Sequence, residues 1–335
     1  MIDHRKALDI LAASDARRAA RRQFLKVAGG STLAIGSASL LSGCFDSEDK
    51  DAPNPTPTPT PAPPAVTDVD VLNLALNLEY LEAQFYLFAV NGAGLSASMT
   101  ASGSGTAGGT VTGGAKVDFS GDPLVGAYAR EIAADEAAHV AFLRTALGSA
   151  AVAMPNINIS GDANGAFTAA ARAAGVIGAS DTFNPYSTPE NFLLGAFIFE
   201  DVGVTAYKGA APLLMNKVFL EAAAGILAAE AYHAGLVRTV LYAKGITTSA
   251  LVTASGRISD ARDALDQNGD SDEGITKAGE ANLVPADKDA IAYSRNSQQV
   301  HNIVYLNATG ANRNGGGFFP NGTNNANPTL RIGLA

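Results

Sequence analysis

At 335 residues, with 47% hydrophobic and 16% charged side chains, the chain is long enough for one large domain with appendages. A net charge of −9, with no basic face beyond the first residues, argues against a nucleic-acid partner. One cysteine permits no internal disulfide and excludes a four-cysteine iron site.

Residues 1–43 read as an address. The run RRQFLK, with Arg21 and Arg22, precedes the Gly/Ser-containing apolar stretch VAGGSTLAIGSASLLSG, and the pair resembles a twin-arginine export signal. The alternative is a basic amphipathic N-terminal helix, while a membrane span is disfavoured by the short, Gly/Ser-rich apolar run. The phrase LLSGC resembles a lipobox ending at Cys44, where cleavage and lipidation are expected; the alternative is a buried thiol. Residues 44–67 are acidic and then Pro/Thr-rich, which suits an extended tether and not a packed core. The expected location is the periplasm or cell envelope, with membrane contact through the lipid anchor alone.

A first helix is expected from Thr67 or Asp68 to about Val90 in VLNLALNLEYLEAQFYLFAV, which carries Glu79 and Glu82. Residues 91–121, dominated by Gly, Ser, Thr and Ala, read as a flexible loop or weakly ordered hairpin, either a surface insertion or a lid. A second helix spans about Pro123–Leu147 and contains AADEAAHVAF, where Glu136 stands three residues before His139. A long connection from 148 to 187 holds a short helix near Ala166–Ala174. The third helix opens at STPEN with a Ser187 or Thr188 cap and carries Glu200 and Tyr207. The fourth, from about Met215 to Lys244, repeats the earlier spacing with Glu230 and His233 in AAEAYHAGL.

Residues three apart share a helix face, so each Glu-x-x-His pair aims a carboxylate and an imidazole at one point. A dinuclear site in a four-helix bundle takes one Glu from each of two helices and a Glu-x-x-His from each of the other two. Glu79 and Glu200 supply the single glutamates, and each is followed seven residues later by a tyrosine, Tyr86 and Tyr207. The chain therefore repeats a helix pair. An ionised carboxylate in so apolar a helix is costly to bury unless it is paired or metal-bound. Spacing leaves Glu82 open, as an alternative ligand to Glu79 or as a neighbouring or solvated group. Glu131 and Glu221 point away from the shared face and are expected in solvent.

Beyond Gly245 the chain becomes more polar and is expected to form an irregular extension, residues 246–335. The acidic run from Asp266 to Gly274 invites comparison with a calcium loop, but Lys277 stands where the bidentate glutamate belongs. A last helix is expected over Asp287–Tyr305, where His301 has no carboxylate at ligand spacing.

The order of these residues resembles the ferritin-like di-iron carboxylate superfamily. The phrases LNLALNLEYLEAQFY, DEAAHVAFLR, FEDVGVTAYKGAA and AEAYHAG resemble its branch that includes the desiccation-related proteins. The resemblance covers residues 68–245 and implies an all-α, ferritin-like four-helix bundle with a long crossover between helices two and three. It implies Glu79, Glu136, His139, Glu200, Glu230 and His233 as ligands of two metal ions, with Tyr86 and Tyr207 orienting carboxylates.

Four carboxylates and two imidazoles suit iron or manganese better than zinc. Glu136, His139 and Glu79 are expected around one ion and Glu230, His233 and Glu200 around the other, with Glu136 and Glu230 as candidate bridges. The expected function is an exported oxidoreductase acting on O2, peroxide or ferrous iron, possible as a homodimer. The alternative is a non-enzymatic, desiccation-protective envelope scaffold whose site is structural or empty.

Overall fold

The computed structural model describes residues 65–334, so the expected export signal, Cys44 and nearly all of the tether lie outside the described residues. Eight helices follow in order: α1 Asp68–Asn91, α2 Ala97–Thr100, α3 Pro123–Leu147, α4 Ala166–Ala173, α5 Pro189–Ala210, α6 Lys217–Gly245, α7 Ser249–Asp266 and α8 Ser297–Val304. The expected all-α bundle is present, built from α1, α3, α5 and α6. Among the described residues no helix is long and apolar enough to cross a membrane.

The local signals account for the helix ends. Thr67 and Asp70 form a reciprocal capping box at the start of α1, worth about 1 kcal/mol. Asp122 and Thr188 cap α3 and α5, each with proline in the first turn. Side-chain contacts then fix the helix directions. Both carboxylate oxygens of Asp68, at the head of α1, accept from the backbone N–H groups of Met215 and Asn216 at the head of α6. Lys244, in the last turn of α6, reaches Asp122 and Glu190 at the heads of α3 and α5, 2.6 Å from each. Helices α1 and α6 therefore run one way and α3 and α5 the other. Two consecutive bundle helices that run parallel need a long return, which residues 148–188 provide.

Strand β1, Val111–Gly113, in the segment before α3, pairs in parallel with β2, Ile157–Ile159, in the crossover. Of the two expectations for 91–121, loop or hairpin, the segment is mostly loop and forms no hairpin: its extended stretch pairs with a distant segment. Gly113 permits this, since at φ 84° a Cβ there would collide with the Ser160 backbone.

The segment after α6 is more regular than its polarity suggests. Helix α7 is an addition to the expected irregular extension: its buried face carries Leu251, Ala254, Ile258 and Leu265 interleaved with Ser255, Ser259, Arg262 and Asp266. A short hairpin follows, β3 Thr276–Lys277 with β4 Glu280–Ala281, and the last helix is confined to Ser297–Val304. Three buried arginines bind these pieces to the bundle. Asp201 of α5 accepts from Arg238 of α6 at 2.7 Å and from Arg262 of α7 at 2.9 Å. Asp272 accepts from Arg262 at 2.6 Å and Arg295 at 2.9 Å, and Asp266 accepts from Arg295 at 2.6 Å. The acidic run is therefore occupied by arginines, not arranged as a calcium loop.

The tail lies on the bundle as irregular structure. Phe318 is fully buried, edge-on to Phe167 and Phe199 with ring centroids 5.1 and 4.9 Å apart. Asn77 of α1 exchanges hydrogen bonds with the Asn324 backbone at 2.7 and 2.9 Å.

Candidate metal centre

The apolar residues of α1 and α5 are buried on nearly every side, so polar groups at their midpoints face protein, not water. Glu79, Glu136 and Glu230 are fully buried, Glu200 is 1% exposed and His233 3%. The His139 side chain is 13% exposed and is the wettest of the six. Glu131 and Glu221 are exposed, away from the centre.

All six sequence-selected residues meet. Donor atoms of Glu79, Glu136, His139 and Glu230 lie within 4.8 Å of one another, as do those of Glu136, Glu200 and His233. Glu136 belongs to both groups. Glu230 joins His139, not its own helix neighbour His233, and it is not shared. The expected grouping put Glu230 with Glu200 and His233, with Glu136 and Glu230 as candidate bridges; here Glu230 Oε1 lies toward His139 of α3 while its Oε2 lies beside Gly203 of α5. His139 Nδ1 is 3.2 Å from Glu79 Oε2 and 3.6 Å from both Glu136 Oε2 and Glu230 Oε1. His233 Nδ1 is 3.0 Å from Glu136 Oε1 and 3.7 Å from Glu200 Oε2.

The tyrosines cross over. Tyr86 of α1 donates its hydroxyl hydrogen to Glu200 of α5, and Tyr207 of α5 donates to Glu79 of α1. Each glutamate is thereby held by the tyrosine of the opposite helix. One residue was not singled out from sequence: Asp135, half-exposed on α3, lies 3.1 Å from His233 Nε2 and turns Nδ1 inward. No local pattern marks it, since its partner is 98 residues away. His139 has no equivalent, because Ala229 precedes Glu230.

The electrostatics show what the site lacks. Burial, then the charges of Glu230 and Glu79, push the Glu136 carboxyl well above its usual range. Burial and neighbouring carboxylates do the same to Glu230, and Glu200 is pushed up to about 8. Burial also works to raise Glu79, but hydrogen bonds from His139 and Tyr207 hold it below the ordinary value. For His139, burial opposes the charge and Glu79 overcomes it, raising the imidazole; burial lowers His233.

Among the described residues no lysine or arginine pairs with these carboxylates. Both oxygens of Glu136 and of Glu230, Glu200 Oε2 and His233 Nδ1 are buried without a well-directed hydrogen bond, the 3.0 Å approach of His233 Nδ1 to Glu136 Oε1 being off-line. Orphaned acceptors of this number are rare in folded proteins. Oxygen and imidazole donors that converge without other partners are the donor set of a cation site, so the residues fit a metal cofactor.

Residues 67–243 match the family described as the ferritin-like domain. The chain is similar to the ferritin-like catalase Nec2 of Nesocodon mauritianus, 28% identical over 270 residues, covering 77% of this chain and 83% of that protein. It is also similar to the desiccation-related protein PCC13-62 of Craterostigma plantagineum, 28% identical over 249 residues, covering 70% of this chain and 76% of the other. No solved structure gives a significant match.

Proposed function

Because the chain belongs to the ferritin-like domain family and turns six carboxylate and imidazole groups toward one another, we propose that it binds two iron or manganese ions and acts as an oxidoreductase. The observation that carries this reading is the set of buried, unpartnered donor atoms on Glu136, Glu200, Glu230 and His233. Left without cations, such a cluster opposes folding by burial of like charges.

Peroxide is the favoured substrate, because one relative is named a catalase. In the balanced reaction two hydrogen peroxide molecules give two waters and one dioxygen: one peroxide is reduced and the other oxidised, so no outside electron donor is needed. Two bound redox-active ions would supply and recover the two electrons. The chain's own part is to hold the donors. Glu136 stands between the two groups, Tyr86 and Tyr207 fix Glu200 and Glu79, and Asp135 turns His233 inward. The carboxylates of Glu79, Glu136, Glu200 and Glu230 are themselves buried, so the donors face one another and not bulk water.

Export through a twin-arginine route and anchorage at Cys44 complete the proposal, and place the reaction at the cell envelope. A second reading follows the other relative's name: a protective protein in which the centre is structural. Elemental analysis after metal-replete expression, combined with dioxygen evolution from peroxide, separates the two. Two iron or manganese ions per chain with dioxygen release is the expected result. Less than about one ion per chain, or full occupancy without turnover of peroxide or ferrous iron, would favour the structural reading.

A further inference from the structure

The single-glutamate helices of the two halves share the Glu and the Tyr seven residues on, and differ at the position three residues after the Glu. Along α1 the order is Glu79, Glu82, Tyr86; along α5 it is Glu200, Gly203, Tyr207, at the same spacings of three and seven. Where one half carries a glutamate the other carries a glycine. Gly203 opens the space that this arrangement needs. A Cβ there would overlap Glu230 Oε2 and come within 3.4 Å of Glu82 Oε1, so the Glu82 and Glu230 carboxylates flank one point beside the glycine.

Glu82 is 5% exposed, and no hydrogen-bond partner among the described residues holds its carboxylate. Burial, then the charges of Glu200 and Glu79, push its carboxyl well above the usual range. It lies in neither of the two donor groups. The group of Glu136, Glu200 and His233 has three members against four in the other, and iron and manganese favour more than three protein and solvent donors.

We propose that Glu82 is a seventh donor of the centre, a carboxylate that joins Glu136, Glu200 and His233 around the second divalent cation. The proposal rests on the dinuclear reading above. Each cation then has four protein groups, with Glu136 common to both. Gly203 is the counterpart that leaves room for the Glu230 and Glu82 carboxylates, which a side chain at that place in the repeat would crowd.

The test is a Mn2+ titration of the purified full chain, followed by calorimetry and by elemental analysis, for the parent, Glu82→Gln and Glu82→Asp. The parent should take up two ions. Glu82→Gln, of the same shape without the charge, should bind the first as the parent does and the second at least tenfold more weakly. Glu82→Asp, with the charge on a shorter arm, should recover part of the loss.

Two ions bound by Glu82→Gln with parental affinity would overturn the role of Glu82 and leave the dinuclear reading standing. Equal losses in both variants would assign the effect to packing and overturn it too. Uptake of less than one ion by the parent itself would instead remove the dinuclear reading and this inference with it.

Discussion

Tyr207 donates its hydroxyl hydrogen to Glu79 across the bundle, and it is not the only support of that carboxylate, because His139 Nδ1 lies 3.2 Å away. Tyr86 is differently placed. It gives Glu200 a hydrogen bond at one oxygen while the other oxygen is unpartnered. Loss of a group that orients a metal ligand typically weakens metal binding by about 10–100-fold. Tyr86→Phe should therefore reduce Mn2+ affinity by about tenfold or more, and Tyr207→Phe by less. Calorimetric titration of the two variants checks the ranking.

Glu136 is the one residue present in both donor groups, whereas Glu221 is exposed on α6. Glu136→Ala combined with His233→Ala should abolish binding of both ions. Glu221→Ala should leave the metal content of the parent unchanged. Metal content per chain after expression in iron- and manganese-supplemented medium gives the comparison, and parental metal in the double variant would remove the site from this part of the bundle.

Metal uptake should release protons. The Glu136, Glu200 and Glu230 carboxyls are raised by burial, Glu200 to about 8, so at neutral pH the metal-free centre holds protons that a cation must displace. A raised carboxyl is protonated below its own value, so affinity rises as pH increases toward 8. At pH 7 roughly one proton or more should leave per chain on loading. Calorimetry in two buffers of different ionisation heat measures the number, and a value of zero would contradict the electrostatics described for the centre.

Arg262 touches Asp201, Asp272 and the Phe197 carbonyl while almost fully buried. Removal of one partner from a buried ionic network leaves charges uncompensated and typically costs about 3–5 kcal/mol. Arg262→Met should lower the stability of the metal-free protein by about that amount. Chemical denaturation against the parent measures it, and a change below about 1 kcal/mol would mean the network relaxes into water.

His301 is fully buried, bonded through Nδ1 to the Ser297 carbonyl and through Nε2 to Thr323 Oγ1, and burial lowers its imidazole to about 4. An unfolded chain takes up the proton near 6.5, so between about 6.5 and 4 it binds more protons than the folded one. Stability is complete above that window and falls with pH through it, by about 3 kcal/mol at full extent. His301→Gln should flatten the acid side of the melting-temperature profile between pH 4.5 and 6.5. An unchanged slope would place the acid sensitivity elsewhere.

What was legible in the sequence follows from the range of each interaction. The convergence of Glu136 with His139 and of Glu230 with His233 depends on one helical turn, and the Tyr86 and Tyr207 offsets on two, so spacing was enough to select them. Which carboxylates face which imidazole depends on reach between helices, which spacing within one helix does not carry: Glu230 Oε1 lies 3.6 Å from His139 of another helix. Spacing also left Glu82 open, since its surroundings are fixed by Gly203 on another helix. The apolar positions of helix α7, Leu251, Ala254, Ile258 and Leu265, are interleaved with Arg262 and Asp266, whose buried partners lie elsewhere in the chain. The parallel pairing of Val111 with Ile157 joins segments with too few residues each to show a strand period.

Asp201 follows Glu200 directly and is held from outside the bundle by Arg262, well past the last residue of the family match at 243. The stretch recognised by kinship and the stretch that must fold together are therefore not the same length. A ribosome that has released only the first 245 residues has supplied every donor of the centre, yet the turn that carries Glu200 still waits for its outer brace. Truncation at the conventional domain edge would remove Arg262, Asp266, Asp272 and Arg295 at once and leave Asp201 with Arg238 alone.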